Sequence, residues 1–189
     1  MTFANLLATT IHLLDAARVP FMITGSIASS FHGEPRATRD LDVVIDLTHA
    51  ELDALIRGLQ AGGFYVDRDA AEEALRARTQ FNAIGPDAMK VDFIVRKDRP
   101  FSSEEFARRQ QVSLLGTPAF MATQEDLILA KLEWAAATDS ERQLRDVAGM
   151  LEIAGDTLDR AYLGHWLTEL GLTRVWERIA SVGDLSRPP

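Results

Sequence analysis

The sequence contains no cysteine. That absence excludes disulfide staples, a thiolate nucleophile and any zinc site built on cysteine, so a metal here must be held by oxygen or by histidine. Positive charge is also in short supply: 20 Lys and Arg stand against 28 Asp and Glu, a formal net charge of -8. Such a chain has no general basic field for coating nucleic-acid backbone, although a small or locally docked anionic substrate is compatible with it. Long apolar runs are missing too, because His12, Asp15 and Arg18 interrupt the stretch from Phe3 to Ile23. With no basic leader before it, the reading is a cytoplasmic protein with no membrane partner. There is no repeat, no low-complexity tract, no Walker-type loop and no dinucleotide fingerprint. The histidines (His12, His32, His49 and His165) lack an i, i+4 ligand pair and read as structural.

What is present suits one core. A length of 189 residues with 47% hydrophobic content matches an ordinary domain, or a compact domain with a helical appendage. Phe3, Leu6, Leu7, Ile11 and Leu14 recur at helical spacing and predict a helix over 2–17 that ends before Pro20. Val19 to Thr24 reads as a buried strand stopped by Gly25-Ser26 ahead of a short helical turn, and Leu41 to Ile45 as the next strand. Thr48 is placed to cap a helix carrying Leu52, Leu55, Ile56 and Leu59, with Gly62-Gly63 ending it before an extended piece at Phe64 to Val66. A helix is expected at 69–77, then a hairpin of Thr79 to Ile84 and Met89 to Val95 about the turn Gly85-Pro86-Asp87. Beyond residue 101 one strand is expected, Val112 to Leu115. Helices then follow at 123–137, 140–154, 159–169 and 172–181, with Gly155 and Gly171 as stops. Trp134, Trp166 and Trp176 read as packing residues, and residues 186–189 as a frayed tail. The order gives an α/β (α+β) chain: a mixed sheet flanked by helices over 1–122, then a helical C-terminal half over 123–189 packed on it.

The densest chemical signal lies at Asp40 and Asp42. Side chains alternate along a strand, so these two carboxylates share one face while Leu41, Val43 and Ile45 fill the core on the other. Neighbouring like charges repel unless a cation sits between them, and Mg²⁺ or Mn²⁺ is the hard cation such oxygens prefer. Asp92 lies in an apolar strand whose Val91, Phe93 and Val95 face the core, so it projects with Lys90 and Ile94 from the opposite face. If the two strands are neighbours, three carboxylates meet where a two-metal phosphoryl-transfer site needs them. Gly25-Ser26, at a strand-to-helix turn, supplies free backbone N–H groups, a close approach and a hydroxyl for an anion.

Gly25-Ser26, then Arg36-x-Thr38-x-Asp40-x-Asp42, then Asp92 resemble the nucleotidyltransferase superfamily of DNA polymerase beta-like fold. Within it they resemble the AbiEii toxin-like branch of bacterial toxin-antitoxin systems and related bacterial nucleotidyltransferase-like proteins. The segments Glu125 to Leu132 and Ser140 to Asp146 are similar to helical motifs of that branch. The resemblance implies transfer of NMP from an NTP to a hydroxyl of an acceptor, which is a transfer RNA, a protein or a small molecule, with an antitoxin protein as partner. It implies metal ligation by Asp40, Asp42 and Asp92, and nucleotide binding by Gly25 and Ser26; Arg36, which flanks the carboxylates, is placed to neutralise triphosphate charge. The resemblance adds Lys131, for catalysis and nucleotide, and Asp146. A non-catalytic nucleotide-binding or partner-binding member of the same fold is the alternative.

Lys131 also stands out without the resemblance. At 100° per residue it falls near the middle of an apolar arc of Leu127, Ile128, Leu132, Trp134 and Ala135. A buried ammonium there requires a carboxylate or a phosphate.

Overall fold

The structure, a computed structural model, describes residues 2–33 and 38–180. Arg36 and the closing tail therefore lie outside the described residues. The chain divides into two compact units: Met1–Ile27 with Ala37–Ala122, and Ala28–Arg36 with Thr123–Pro189.

The first unit is built on a seven-stranded mixed sheet of order β3-β4-β5-β2-β1-β7-β6. Helix α1 (Phe3–Ala16) is capped by the Thr2 side chain, which accepts from the Asn5 N–H, and it buries Leu6, Leu7, Ile11 and Leu14. Strand β1 (Phe21–Thr24) is buried throughout and leads directly into α2 (Gly25–His32), whose first turn belongs to this unit. Strand β2 (Asp40–Ile45) follows, then α3 (His49–Ala61), which is held at its start by a reciprocal pair. There the Thr48 hydroxyl accepts from the Glu51 N–H while the Glu51 carboxylate accepts from the Thr48 N–H at 2.7 Å. The short β3 (Tyr65–Val66), α4 (Arg68–Ala77), β4 (Gln80–Ile84) and β5 (Lys90–Val95) complete the acidic half of the sheet.

Two elements were not legible in the sequence. Helix α5 (Pro100–Ala107) has only Phe101 and Phe106 as large buried residues, too few for a periodic signal, and starts instead on Pro100, whose fixed φ suits a first helical turn. Strand β7 (Thr117–Met121) carries Pro118, which argues against a strand because it lacks an N–H. It pairs nonetheless, antiparallel with β6 (Gln110–Leu114) and parallel with β1 at Ile23 opposite Met121. Pro118 sits three residues before that contact, opposite Ser113 of β6.

The sheet's core face is fixed by alternation. Ile23, Val43, Phe93 and Phe81 are successive register partners across β1, β2, β5 and β4, and all four are buried. The Phe81 and Phe93 rings stack with centroids 5.2 Å apart. One residue further along each strand, the side chains point to the other face.

The second unit is helical: α6 (Gln124–Thr138), α7 (Glu141–Ala154), α8 (Arg160–Glu169) and α9 (Thr173–Ala180), together with the later part of α2. Helix α6 ends on Asp139 in the left-handed region, and Gly155 and Gly171 adopt positive φ where α7 and α8 stop. Leu127, Ile128, Leu132 and Ala135 of α6 are buried along with Leu144, Val147, Met150 and Leu151 of α7. Trp134 departs from the sequence reading. It is 53% exposed, so the apolar arc is narrower than 100° periodicity suggested and closes before reaching it. The Gln124 side-chain amide donates to the backbone oxygens of His32 and Met150, at 3.2 and 3.0 Å, and so ties the end of α2 to α7.

Candidate active site

One residue along from the apolar row, the same four strands carry a polar row. Thr24 is the register partner of Asp42, Asp42 of Asp92, and Asp92 of Asn82, which crosses β1, β2, β5 and β4. Strands β2 and β5 run parallel in full register, so Asp42 and Asp92 stand side by side and Asp40 stands beside Lys90. Asp40 is exposed, Asp42 half-buried and Asp92 only 9% exposed, so the acidic row runs inward from solvent.

Each buried carboxylate is compensated differently. Asp42 meets the start of α2: its Oδ2 accepts from the Ser26 backbone N–H at 3.3 Å. A helix start has free N–H groups and a positive dipole end, and both favour a carboxylate there. Gly25 makes this approach possible, with φ at +64°, where an added Cβ would lie 2.0 Å from that same oxygen. Asp92 is held by a residue the sequence reading did not single out. The Lys90 ammonium donates to Asp92 Oδ2 at 2.8 Å, with the Asp92 side chain 12% and the Lys90 side chain 36% exposed. The hydrogen bond that the ammonium donates to Asp92 and the charges of Asp92, Asp40 and Asp42 hold Lys90 above its ordinary value of 10.5, against the opposing pull of burial. Lys90 thus responds electrostatically to all three carboxylates. The signal was there in the sequence, since a residue two before Asp92 must share its face, but nothing in the alternation says whether that side chain turns towards the acid.

The sequence predicts that three carboxylates meet if their two strands are neighbours, and β2 and β5 are neighbours. Among the described residues, no group of three or more His, Asp or Glu side chains is gathered closely enough to hold a metal ion as it stands. Lys90 and the Ser26 amide occupy oxygens of Asp92 and Asp42, and Asp40 lies one pleat step away along β2. The donor type still fits a hard divalent cation, and a cation, the Lys90 ammonium, already sits against this set.

In the helical unit, Lys131 of α6 is 5% exposed. Its ammonium donates to Asp146 Oδ2 and to Gln143 Oε1 of α7, both at 2.8 Å. The partner required by an ammonium amid apolar neighbours is therefore Asp146, three residues beyond the also engaged Gln143. Nearby in the same unit, Asp126 is fully buried; it accepts from the Thr123 hydroxyl at 2.6 Å and from the Tyr162 hydroxyl. Two hydroxyl partners, one at the helix start and one on α8, make this a cap that joins α6 to α8, a role not read from the sequence.

The mixed sheet, with β2 and β5 parallel and β1 antiparallel to β2 and leading into the Gly-Ser helix start, is a fold this chain shares with solved structures of an adenylyltransferase and a nucleotidyltransferase-like protein. No family model and no curated protein matches the sequence, and the likeness appears in three dimensions. The chain is similar to the antibiotic-resistance factor ANT(2'')-Ia in solution, at 14% identity and a TM-score of 0.58 over 93% of this chain and 96% of that one. It is also similar to the lincosamide antibiotic adenylyltransferase LnuA in its lincomycin-bound crystal form, at 12% identity and a TM-score of 0.56 over 81% and 98%. A nucleotidyltransferase-like protein from Paracoccidioides brasiliensis is similar at 17% identity and a TM-score of 0.53 over 90% and 88%.

Proposed function

We propose that this chain is a divalent-metal-dependent nucleotidyltransferase that moves NMP from an NTP to an acceptor hydroxyl. The observation that carries the proposal is the register of Asp42 with Asp92 on adjacent parallel strands, with the Gly25-Ser26 helix start against Asp42. Gly25 and Ser26 would hold the triphosphate through backbone N–H groups, the Ser26 hydroxyl and the helix dipole. Asp40, Asp42 and Asp92 would hold the metal, Mg²⁺ or Mn²⁺, which supplies charge neutralisation at the phosphates and a more acidic attacking hydroxyl when bound. The acceptor oxygen forms a bond to the α-phosphorus, the bond to the β-phosphate oxygen breaks, and pyrophosphate leaves. The hydroxyl proton passes to the Asp92 carboxylate. Asp146 enters this reading on the resemblance, Lys131 on the resemblance and on its place in an apolar arc, and Arg36 on its position in sequence before the acidic pair.

The acceptor we favour is a small polyhydroxylated molecule. Among the similar structures, ANT(2'')-Ia was crystallised with adenylyl-2''-tobramycin and LnuA with lincomycin. A toxin role with an antitoxin partner is the further reading that the AbiEii-like motifs support. The Lys90–Asp92 ion pair favours a second reading, a non-catalytic nucleotide-binding member, because it already satisfies one carboxylate.

Pyrophosphate release separates the two. The protein would be incubated with each labelled NTP and Mg²⁺ or Mn²⁺, together with an aminoglycoside, a lincosamide, transfer RNA or total cell extract. The expected outcome is pyrophosphate release and label in one acceptor fraction, both lost in Asp42→Asn. Nucleotide binding without pyrophosphate under every condition supports the non-catalytic reading instead.

A further inference from the structure

Among the described residues, Lys90 is a cation that the sheet unit directs at its own acidic row, onto Asp92. It precedes Asp92 by two residues on β5, so both side chains leave the same face, and its register partner on β2 is Asp40. The contact to Asp92 Oδ2 is 2.8 Å and the Asp92 side chain is 12% exposed, so that oxygen has little water available to it. A divalent cation that takes Asp92 Oδ2 as a ligand takes it from this ammonium, and one that takes the other oxygen meets the repulsion of a second cation on the same poorly hydrated carboxylate. Lysine suits an exchange of this kind. Its four-carbon stem is flexible, its side chain is 36% exposed, and its point charge makes no bidentate fork that would lock it on the acid.

Building on the metal-dependent reading above, we propose that Lys90 is a built-in counter-cation. It holds Asp92 in the metal-free protein, yields that carboxylate when a divalent cation binds, and so sets how tightly the metal is held. Lys90 is on this account a positioning residue, acting through Asp92. Its two effects oppose one another: it relieves carboxylate repulsion in the free protein, and it competes with the ion that would relieve the same repulsion better. Removing its charge therefore leaves a less stable free protein and a stronger metal site. A lysine with a purely structural role would give the first effect without the second.

The test is Mn²⁺ binding, followed by electron paramagnetic resonance and by thermal melting, in the wild type, Lys90→Met, Lys90→Gln, Lys90→Arg and Asp92→Asn. The expected result is a lower melting temperature without metal for Lys90→Met and Lys90→Gln. Both should bind Mn²⁺ about three- to tenfold more tightly than the wild type and gain more in melting temperature from it, in keeping with removal of one charge-assisted contact. Lys90→Arg keeps the charge and should bind Mn²⁺ no more tightly than the wild type. Lys90→Gln keeps a neutral donor for Asp92, so a result survives if Lys90→Met does not fold. Equal or weaker Mn²⁺ binding in the neutral variants, with binding lost in Asp92→Asn, overturns the role of Lys90 and leaves the metal site standing. Failure of every variant and of the wild type to bind Mn²⁺ overturns both.

Discussion

Gly25 leaves no room for a side chain. Its φ of +64° is the left-handed region that β-carbon sterics disfavour, by about 1–2 kcal/mol for a non-glycine residue, and the missing Cβ would overlap the Asp42 carboxylate. Gly25→Ala should therefore lower stability by at least about that amount and push Asp42 aside. The expected signature is a drop in urea midpoint together with loss of any Mn²⁺-induced rise in melting temperature. A variant that is destabilised but keeps the metal response would show that Asp42 does not depend on this glycine. Lys90 makes a prediction in the alkaline range. Its ammonium is held above 10.5 in the folded protein, so its contribution to stability is complete below 10.5 and is lost as pH rises through the folded value. Urea midpoints taken from about pH 9 to 12 should fall less steeply in Lys90→Met than in the wild type. Identical slopes would mean that the ion pair carries no stability.

Helices α6 and α7 meet through the Lys131–Asp146 contact as well as through apolar side chains. Lys131 is buried and Asp146 nearly so, which makes the pair sensitive to losing either member. Lys131→Met leaves the Asp146 carboxylate poorly solvated, and Asp146→Leu does the same to the ammonium; each should cost about 3 kcal/mol. The double variant Lys131→Met with Asp146→Leu replaces both charges by apolar groups and should recover most of that loss. Urea denaturation of the four proteins in a double-mutant cycle measures this, and additive losses would show that the two side chains do not act as a pair. The sequence pointed to Lys131 because a charge in the middle of an apolar arc has few explanations. It did not point to Asp146 as the partner, because pairing across two helices depends on how their faces meet. Element boundaries followed periodicity closely wherever caps or glycines marked them, as at Thr48 and Gly155. They were missed at α5 and β7, where two phenylalanines and a strand proline gave weak or contrary local signals.

For the whole molecule, the proposed metal site makes a thermodynamic prediction. An ion that binds the native state and not the unfolded chain stabilises it by mass action, by about 2.7 kcal/mol at one hundred times its dissociation constant. Melting with Mn²⁺ or Mg²⁺ against EDTA should show such a rise in the wild type and none in Asp42→Asn, while the metal-free Asp42→Asn protein keeps its sheet by circular dichroism. No rise in the wild type at millimolar metal, with or without NTP, counts against carboxylate ligation. The sequence by itself determined the alternation that puts Asp40, Asp42 and Asp92 on the non-core face of their strands, the Gly-Ser helix start, and the mixed-sheet-then-helices order. Those features are local, set by a period of two or 3.6 residues and by residues that stop or cap an element. Only the tertiary structure decided that β2 and β5 are parallel neighbours in the register that opposes Asp42 to Asp92. It likewise decided that β7 completes the sheet beside β1, and that Lys90 turns onto Asp92. Strand order, register and the direction of a long flexible side chain are fixed by partners remote in sequence, and no local pattern contains them.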